Sequence, residues 1–371
     1  MDIGIIFPYM ETYGGAQIYA LECIKRWQKK HDITFYSVIY NQELFEDYSL
    51  DMDIVKIDIP YKTKFMNFPL LFQHKLASKY LNNHEIYNSH MFPCHSLDID
   101  NNIWCPQEPS RILYDLEYLM KKESLPVRGL YKLSAPILRH VDKRNYKAAR
   151  TVANSNYSKK YLESVYNISI SDIVYPGVDT EKFNNNKTDK SEKMIIMVSR
   201  LYKEKNVDIG IKALSQLDKE YTMKIVGTGP YLESLKKLCI KLGVEDRVQF
   251  LDFVGDKQLV SLYKQATYLI FLPYKEPFGM VALEALAAGT PVIGLKNGGG
   301  YSELIKDGFN GYLVDFDSSE IAEKIKIMEN DENLYNQMKK NCKKTAEDYT
   351  WDKTADQFMK VFENYLTMKT Q

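Results

Sequence analysis

Two glutamates, Glu276 and Glu284, bracket the segment Glu-Pro-Phe-Gly-Met-Val-Ala-Leu-Glu, which follows an apolar run and continues into Ala-Leu-Ala-Ala-Gly-Thr-Pro-Val-Ile and then Gly-Gly-Gly-Tyr-Ser-Glu at 298–303. This is the pattern of a strand that turns into a helix. Gly279 permits close backbone approach where the helix opens, and there the first free N–H groups and the helix dipole favour a phosphate-like anion. Phe278, Met280 and Val281 complete the turn and belong with it to a candidate donor site. Glu284 falls on the second helical turn, behind the anion site, placed to accept hydrogen bonds from ribose hydroxyls. Glu276, ahead of the helix, is placed to face a sugar. Two glutamates chosen at random are more often solvated surface groups; the glycines and the strand-to-helix context are what point to chemistry.

A second element, Ser199-Arg200-Leu-Tyr-Lys-Glu-Lys205-Asn, follows another apolar run. A nucleotide diphosphate gathers negative charge as it leaves a sugar, and fixed cations such as Arg200 and Lys205 stabilise that charge most where bulk water is excluded. A basic loop in water is the plainer reading of the pair. Gly14-Gly15, between a strand and a helix in the first part of the chain, adds a further run of backbone donors for the same ligand.

These residues need a scaffold, and the rest of the chain reads as one. Short apolar runs alternate with segments of helical period, the pattern of parallel sheets in an α/β protein. Strands are expected at Ile3–Phe7, Ile33–Ile39, Ile54–Ile59, Glu85–Ser89, Ile103–Cys105 and Thr151–Asn154, with a helix at Ala16–Trp27. The series starts again at Met194–Val198 with a helix at Val207–Leu217, and continues through strands at Met223–Val226, Val248–Phe253, Tyr268–Leu272 and Pro291–Leu295. The polar stretch Thr180–Lys193 reads as the linker. Two doubly wound parallel-sheet domains are therefore expected, residues 1–178 and 179–350, facing each other across a cleft, with a helix at 351–366 packing back on the first.

At this point the residues resemble a known family, the retaining glycosyltransferases of family 4, which have the GT-B fold of two facing Rossmann-like domains. The resemblance covers nearly the whole chain. Glu276 through Ile293 matches the family's E-x7-E segment and its G-x-P-V-I continuation, and residues 199–206 resemble G-R-L-x-x-x-K-G with Ser199 and Asn206 in place of the glycines. Residues 152–158 and 174–179 resemble the interdomain segment, and Gly311–Val314 the closing strand. The resemblance implies that Arg200 and Lys205 hold the diphosphate, Glu284 the ribose and Glu276 the donor sugar, with the backbone around Phe253 and Val254 near the base. It implies transfer of a hexose from a UDP-sugar or GDP-mannose to a glycan or lipid-linked hydroxyl, with retention of configuration. No cofactor, metal or protein nucleophile is called for, because the departing phosphate helps to deprotonate the acceptor. Gln107, in the segment 103–111 that ends at Arg111, stands where relatives often have a histidine; both residues are assigned to the acceptor side. A glutamine orients a hydroxyl but does not titrate near neutrality, and His90, after a first-domain strand, is the nearest substitute.

Other classes fit less well. Lys plus Arg equals Asp plus Glu at 49 each, so no global field draws the chain to nucleic acid. Asp51-Met-Asp53, Asp98-Ile-Asp100 and Asp315-Phe-Asp317 match a D-x-D metal pattern, but three copies show how cheap that pattern is and none adjoins the diphosphate residues. Gly227-Thr-Gly229 imitates a dinucleotide fingerprint without its third glycine, which disfavours a dehydrogenase. A non-catalytic nucleotide-sugar binding protein or partner subunit is the rival from another class. Five scattered cysteines without a C-x-x-C pair, no signal-like start and no apolar run of about 18 residues lead us to expect a cytoplasmic protein that does not span a membrane. Two basic stretches, an amphipathic one at 65–81 and a presumed helix at 139–150, are candidate peripheral contacts with the inner membrane face. Their simpler reading is apolar faces in the core and charges in water.

Overall fold

The computed structural model describes residues 1–59, 77–115, 125–184 and 193–370. The chain splits into two compact units, Met1–Tyr175 with Thr354–Gln371, and Pro176–Lys353.

In the first unit the strands are β1 (Asp2–Ile6), β2 (Tyr9–Met10), β3 (Asp32–Ser37), β4 (Ile39–Tyr40), β5 (Asp53–Lys56), β6 (Ile86–His90), β7 (Asn102–Cys105), β8 (Arg150–Ala153) and β9 (Asp172–Ile173). Seven form one parallel sheet in the order β5-β3-β1-β6-β7-β8-β9, and β2 and β4 make a short parallel pair of their own. Residues on both faces of β1 are buried, which is why this strand reads as a near-continuous apolar run, whereas β6 buries the polar Asn88, Ser89 and His90. The helix Trp351–Thr370 lays Phe358 and Phe362 against Trp27, whose indole N–H donates to the Ala355 carbonyl at 3.2 Å. Aromatic area of this kind is a large part of what docks a terminal helix.

The second unit has β10 (Met194–Val198), β11 (Thr222–Val226), β12 (Val248–Leu251), β13 (Tyr268–Phe271), β14 (Val292–Leu295) and β15 (Gly311–Val314), all parallel, in the order β12-β11-β10-β13-β14-β15. By position in the unit this is 3-2-1-4-5-6, the doubly wound order whose direction reverses between the first and fourth strands. Its core joins Ile195, Met197, Ile225, Ile270 and Ile293 of the sheet to Ile211, Leu214, Leu235 and Ile325 of the covering helices.

Two expectations need correction, and a third lies mostly outside the described residues. Thr180–Asn184 is a helix rather than linker, begun by Asp179, whose carboxylate accepts from the Glu181 backbone N–H at 3.1 Å; residues 185–192 lie outside the described residues. The basic helix expected at 139–150 is the end of a longer one, Leu125–Arg144, and Arg150 opens β8 instead. Gly129 and Pro136, both poor helix formers, lie inside that helix. The stretch 65–81 lies outside the described residues up to 76, and Ser78–Tyr80 is a 3₁₀ turn.

Candidate functional site

The strand order of the second unit places its reversal between β10 and β13, which pair directly. The loop after β10 carries Arg200 and Lys205, and the loop after β13 carries Glu276, so residues more than seventy positions apart arrive at one sheet edge. Lys205 Nζ and Glu276 Oε2 lie 2.7 Å apart, with side chains 17% and 23% exposed. Arg200 is exposed, its guanidinium 6.0 Å from the Tyr202 ring centroid, and among the described residues it forms no ion pair.

Each loop is shaped by glycine or its nearest substitute. A Cβ on Gly227 would stand 2.0 Å from the Ser199 carbonyl oxygen, and one on Gly229 2.3 Å from that of Leu201. The Gly-Thr-Gly sequence that imitates a dinucleotide fingerprint therefore lets the next loop close over the Arg200 loop, where the Leu201 N–H donates to the Thr228 carbonyl at 2.8 Å. Asn206, where the pattern this segment resembles has glycine, has φ +56° and donates from Nδ2 to the Leu272 carbonyl at 2.8 Å. Asparagine tolerates the left-handed region best after glycine, so the substitution keeps the turn and ties it to the end of β13.

Glu276 is fixed through its backbone. Its N–H donates to the Gly298 carbonyl and its carbonyl accepts from the Gly300 N–H, both at 2.8 Å. Gly299 has φ +118°, and a Cβ there would meet the Glu276 carbonyl oxygen at 2.1 Å. Beneath them Tyr301 is buried, donating to the Pro273 carbonyl at 3.0 Å and accepting from the Leu295 N–H at 3.2 Å. The 298–301 run thus holds the Glu276 loop in place. Gly279, with φ +85°, opens the helix Met280–Ala287, which has no acidic residue in its first turn; Met280 and Val281 are partly exposed and Phe278 is buried.

Glu284, on the second turn of that helix, accepts at Oε2 from the Tyr263 hydroxyl at 2.8 Å. Its side chain is partly exposed, yet burial of the carboxyl dominates and pushes its pKa up to about 7, against the opposing pull of the tyrosine hydrogen bond. Phe253, between β12 and the helix Asp256–Gln265, is 80% exposed, and Val254 is half-buried beside it.

The first sheet has its own reversal, between β1 and β6. Gly14 and Gly15 follow β1, Gly15 opening the helix Gly15–Trp27. His90 ends β6 and is buried, stacked on Phe7 at 5.5 Å between ring centroids, with Nε2 bonded to Asn88 Oδ1 at 2.8 Å. Nδ1 is buried without a hydrogen-bond partner among the described residues. Burial holds the imidazole pKa down at about 3, so His90 is neutral near pH 7 and as a base would be weak. Two residues beyond the end of the neighbouring β7, Gln107 accepts from Asn154 Nδ2 at 2.6 Å, while its own Nε2 is buried without a partner among the described residues. Arg111 pairs with Glu108 at 2.5 Å. The structure thus gathers Arg200, Lys205, Glu276, Gly279 and Glu284 in the second unit, and His90 and Gln107 at the ends of adjacent strands in the first.

Sequence reading missed Tyr263, Tyr301, Asn154 and the closing role of Gly227 and Gly229. Asp98 binds Lys147, Asp315 binds Lys296 at 2.7 Å, and Asp317 caps the helix Ser318–Asn330, so two D-x-D matches have structural occupations. Among the described residues no group of three His, Cys, Asp or Glu is arranged to hold a metal ion, and no helix is long and apolar enough to cross a membrane. All five cysteines are buried and reduced, none joined in a disulfide.

With this geometry in place, comparison with known proteins is informative. Residues 178–345 match the family model described as glycosyl transferases group 1. An uncharacterized glycosyltransferase of Methanocaldococcus jannaschii is 31% identical over 242 residues, covering 60% of this chain and 62% of that protein, so the match spans less than two thirds of that relative. A second from the same organism is 24% identical over 370 residues, covering 97% and 96%. The structure of Anabaena HepE in complex with UDP and glucose superposes with a TM-score of 0.72 at 18% identity, over 98% of this chain and 100% of that one. The fold expected from the sequence, GT-B with two Rossmann-like parallel-sheet domains, is the one observed.

Proposed function

Because residues 178–345 match the family model described as glycosyl transferases group 1, we propose that the chain is a retaining, metal-independent glycosyltransferase moving a hexose from a UDP-sugar or GDP-mannose to a hydroxyl of a glycan or lipid-linked acceptor. The observation that carries this reading is the Lys205–Glu276 pair, with Arg200 on the same loop as Lys205, at the switch point of the second sheet. Ligands of doubly wound sheets bind outside the carboxyl ends of the strands at that point. A site with two cations next to a carboxylate suits a ligand that is anionic at one end and a neutral polyol at the other.

In this account the donor's diphosphate lies against Arg200, Lys205 and the opening turn at Gly279, Glu284 takes the ribose, and Glu276 takes hydroxyls of the transferred sugar. The bond from the anomeric carbon to the phosphate oxygen breaks as the acceptor oxygen bonds to the same face, and the acceptor proton passes to the departing phosphate. The two cations bind the diphosphate and stabilise the further charge that develops on that phosphate, an electrostatic contribution that grows as the bond breaks. The UDP seen with the Anabaena neighbour supports a nucleotide donor. Gln107 and His90 then serve to orient the acceptor as neutral hydrogen-bonding groups.

The test is thermal unfolding with UDP, GDP, ADP and dTDP in the presence of EDTA, followed by product analysis with sugars of the nucleotide that binds. A ligand at 100 times its Kd adds about 2.7 kcal/mol, and the midpoint should rise by at least ~2–4 °C with one nucleotide. No shift with any of them, in a folded sample, would overturn the donor site; binding without transfer would favour a non-catalytic binding protein.

A further inference from the structure

Tyr263 lies in no motif, yet its hydroxyl meets the carboxylate of Glu284. It is fully buried on the helix Asp256–Gln265, and its hydroxyl donates to Glu284 Oε2 at 2.8 Å. Both ends of this link are held. The Tyr263 carbonyl accepts from Thr290 Oγ1 at 2.7 Å, just after the helix that carries Glu284, and the Tyr263 ring lies 6.4 Å between centroids from that of Phe183. Among the described residues Glu284 has no other hydrogen-bonding side chain.

We propose that Tyr263 is a positioning residue that sets the enzyme's preference for ribonucleotides, by fixing the Glu284 carboxylate so that its remaining lone pairs meet the ribose hydroxyls. This rests on the donor-site reading above. A carboxylate on a rotatable side chain loses freedom on binding two hydroxyls, and one already pinned by a buried phenol loses less. The phenol also favours the ionised carboxylate, which accepts at both oxygens, against the burial that favours the neutral acid. Asp256 opposes ionisation from the same helix as Tyr263, and Lys182, 3.8 Å from Asp256, assists it.

The experiment is calorimetric titration of UDP, GDP and ADP, each beside its 2′-deoxy counterpart, into the full chain and into Tyr263→Phe, Glu284→Asp and Glu284→Gln variants. One hydrogen bond is worth a factor of about three to ten. We expect Tyr263→Phe to bind the ribonucleotide about three- to tenfold more weakly and the 2′-deoxynucleotide, which keeps its 3′-hydroxyl, by a smaller factor, so that the ratio between them falls towards one. Glu284→Asp, which draws the carboxylate back from the phenol, should lower the same ratio, and adding Tyr263→Phe to Glu284→Gln should weaken binding no further. A purely structural role for Tyr263 would lower the melting temperature and leave the ratio at its wild-type value, and that result would overturn the proposal. Failure of the wild-type chain to bind any of the nucleotides would overturn the donor site itself, and this assignment with it.

Discussion

The two units share one strand order, reversing between their first and fourth principal strands, but the edges built at those reversals differ in chemistry. The second unit's edge carries an exposed arginine and a lysine–glutamate pair, held by glycines at 227, 229, 279 and 299 and by the buried Tyr301. The first unit's edge carries His90, held neutral by burial and stacked on Phe7, next to the amide pair Gln107–Asn154. Topology chooses where a ligand goes, and the side chains delivered there choose which one. The charged edge suits a diphosphate and the neutral edge suits a hydroxyl.

The most severe way to break this contrast is to remove its charges. Arg200→Ala and Glu276→Ala should each lower turnover by about 10²–10³, the cost of losing one preorganised electrostatic group, whereas His90→Asn should lower it by less than about tenfold and leave the pH profile between 6 and 8 unmoved. Steady-state kinetics decides it, and equal losses at the two edges would refute the division of labour.

A smaller effect should come from the frame of the charged edge. Gly299→Ala places a Cβ against the Glu276 carbonyl at a φ that alanine rarely adopts, which should destabilise the second unit by ~1–3 kcal/mol and lower turnover without touching a ligand group. Denaturant unfolding together with kinetics tests this. A fully active, fully stable variant would show that the 298–301 run does not position Glu276.

The smallest expected effect sharpens the comparison by pH. Because the folded pKa of Glu284 is raised to about 7 from its ordinary 4.5, the folded chain binds more protons than the unfolded chain between those values, and its stability falls as pH rises through that window. Glu284→Gln should therefore raise the melting temperature by ~2–4 °C at pH 8 and by less at pH 5, while weakening nucleotide binding. An equal shift at both pH values would mean that the charge is not what is being relieved.

How much of this was legible in the sequence follows the same division. The strands of the second sheet were readable to within a residue or two, since buried parallel strands are near-continuous apolar runs, and Glu276 to Glu284 could be read because a strand, a glycine and a helix lie in one contiguous stretch. Tyr263 could not be read: its partner is 21 positions away and it looks like any core aromatic. Asn206 hid a required left-handed turn behind a residue other than glycine. In the first unit the signal was weaker. Gly129 and Pro136 masked a twenty-residue helix, and nothing local distinguishes a strand-end histidine that is neutral from one that titrates, because the burial that decides it comes from Phe7 and Tyr19 in other elements.

The central claim, that the donor diphosphate is held at the edge of the second sheet, is tested most directly by titrating UDP and GDP into the wild-type chain and into Arg200→Ala, Lys205→Ala, His90→Asn and Gln107→Ala variants at two salt concentrations. The account predicts at least a tenfold loss of nucleotide affinity, with a weakened salt dependence, for Arg200→Ala and Lys205→Ala, and unchanged affinity for the two first-unit variants. Unchanged affinity in both cation variants, or an equal loss in the first-unit variants, would contradict it.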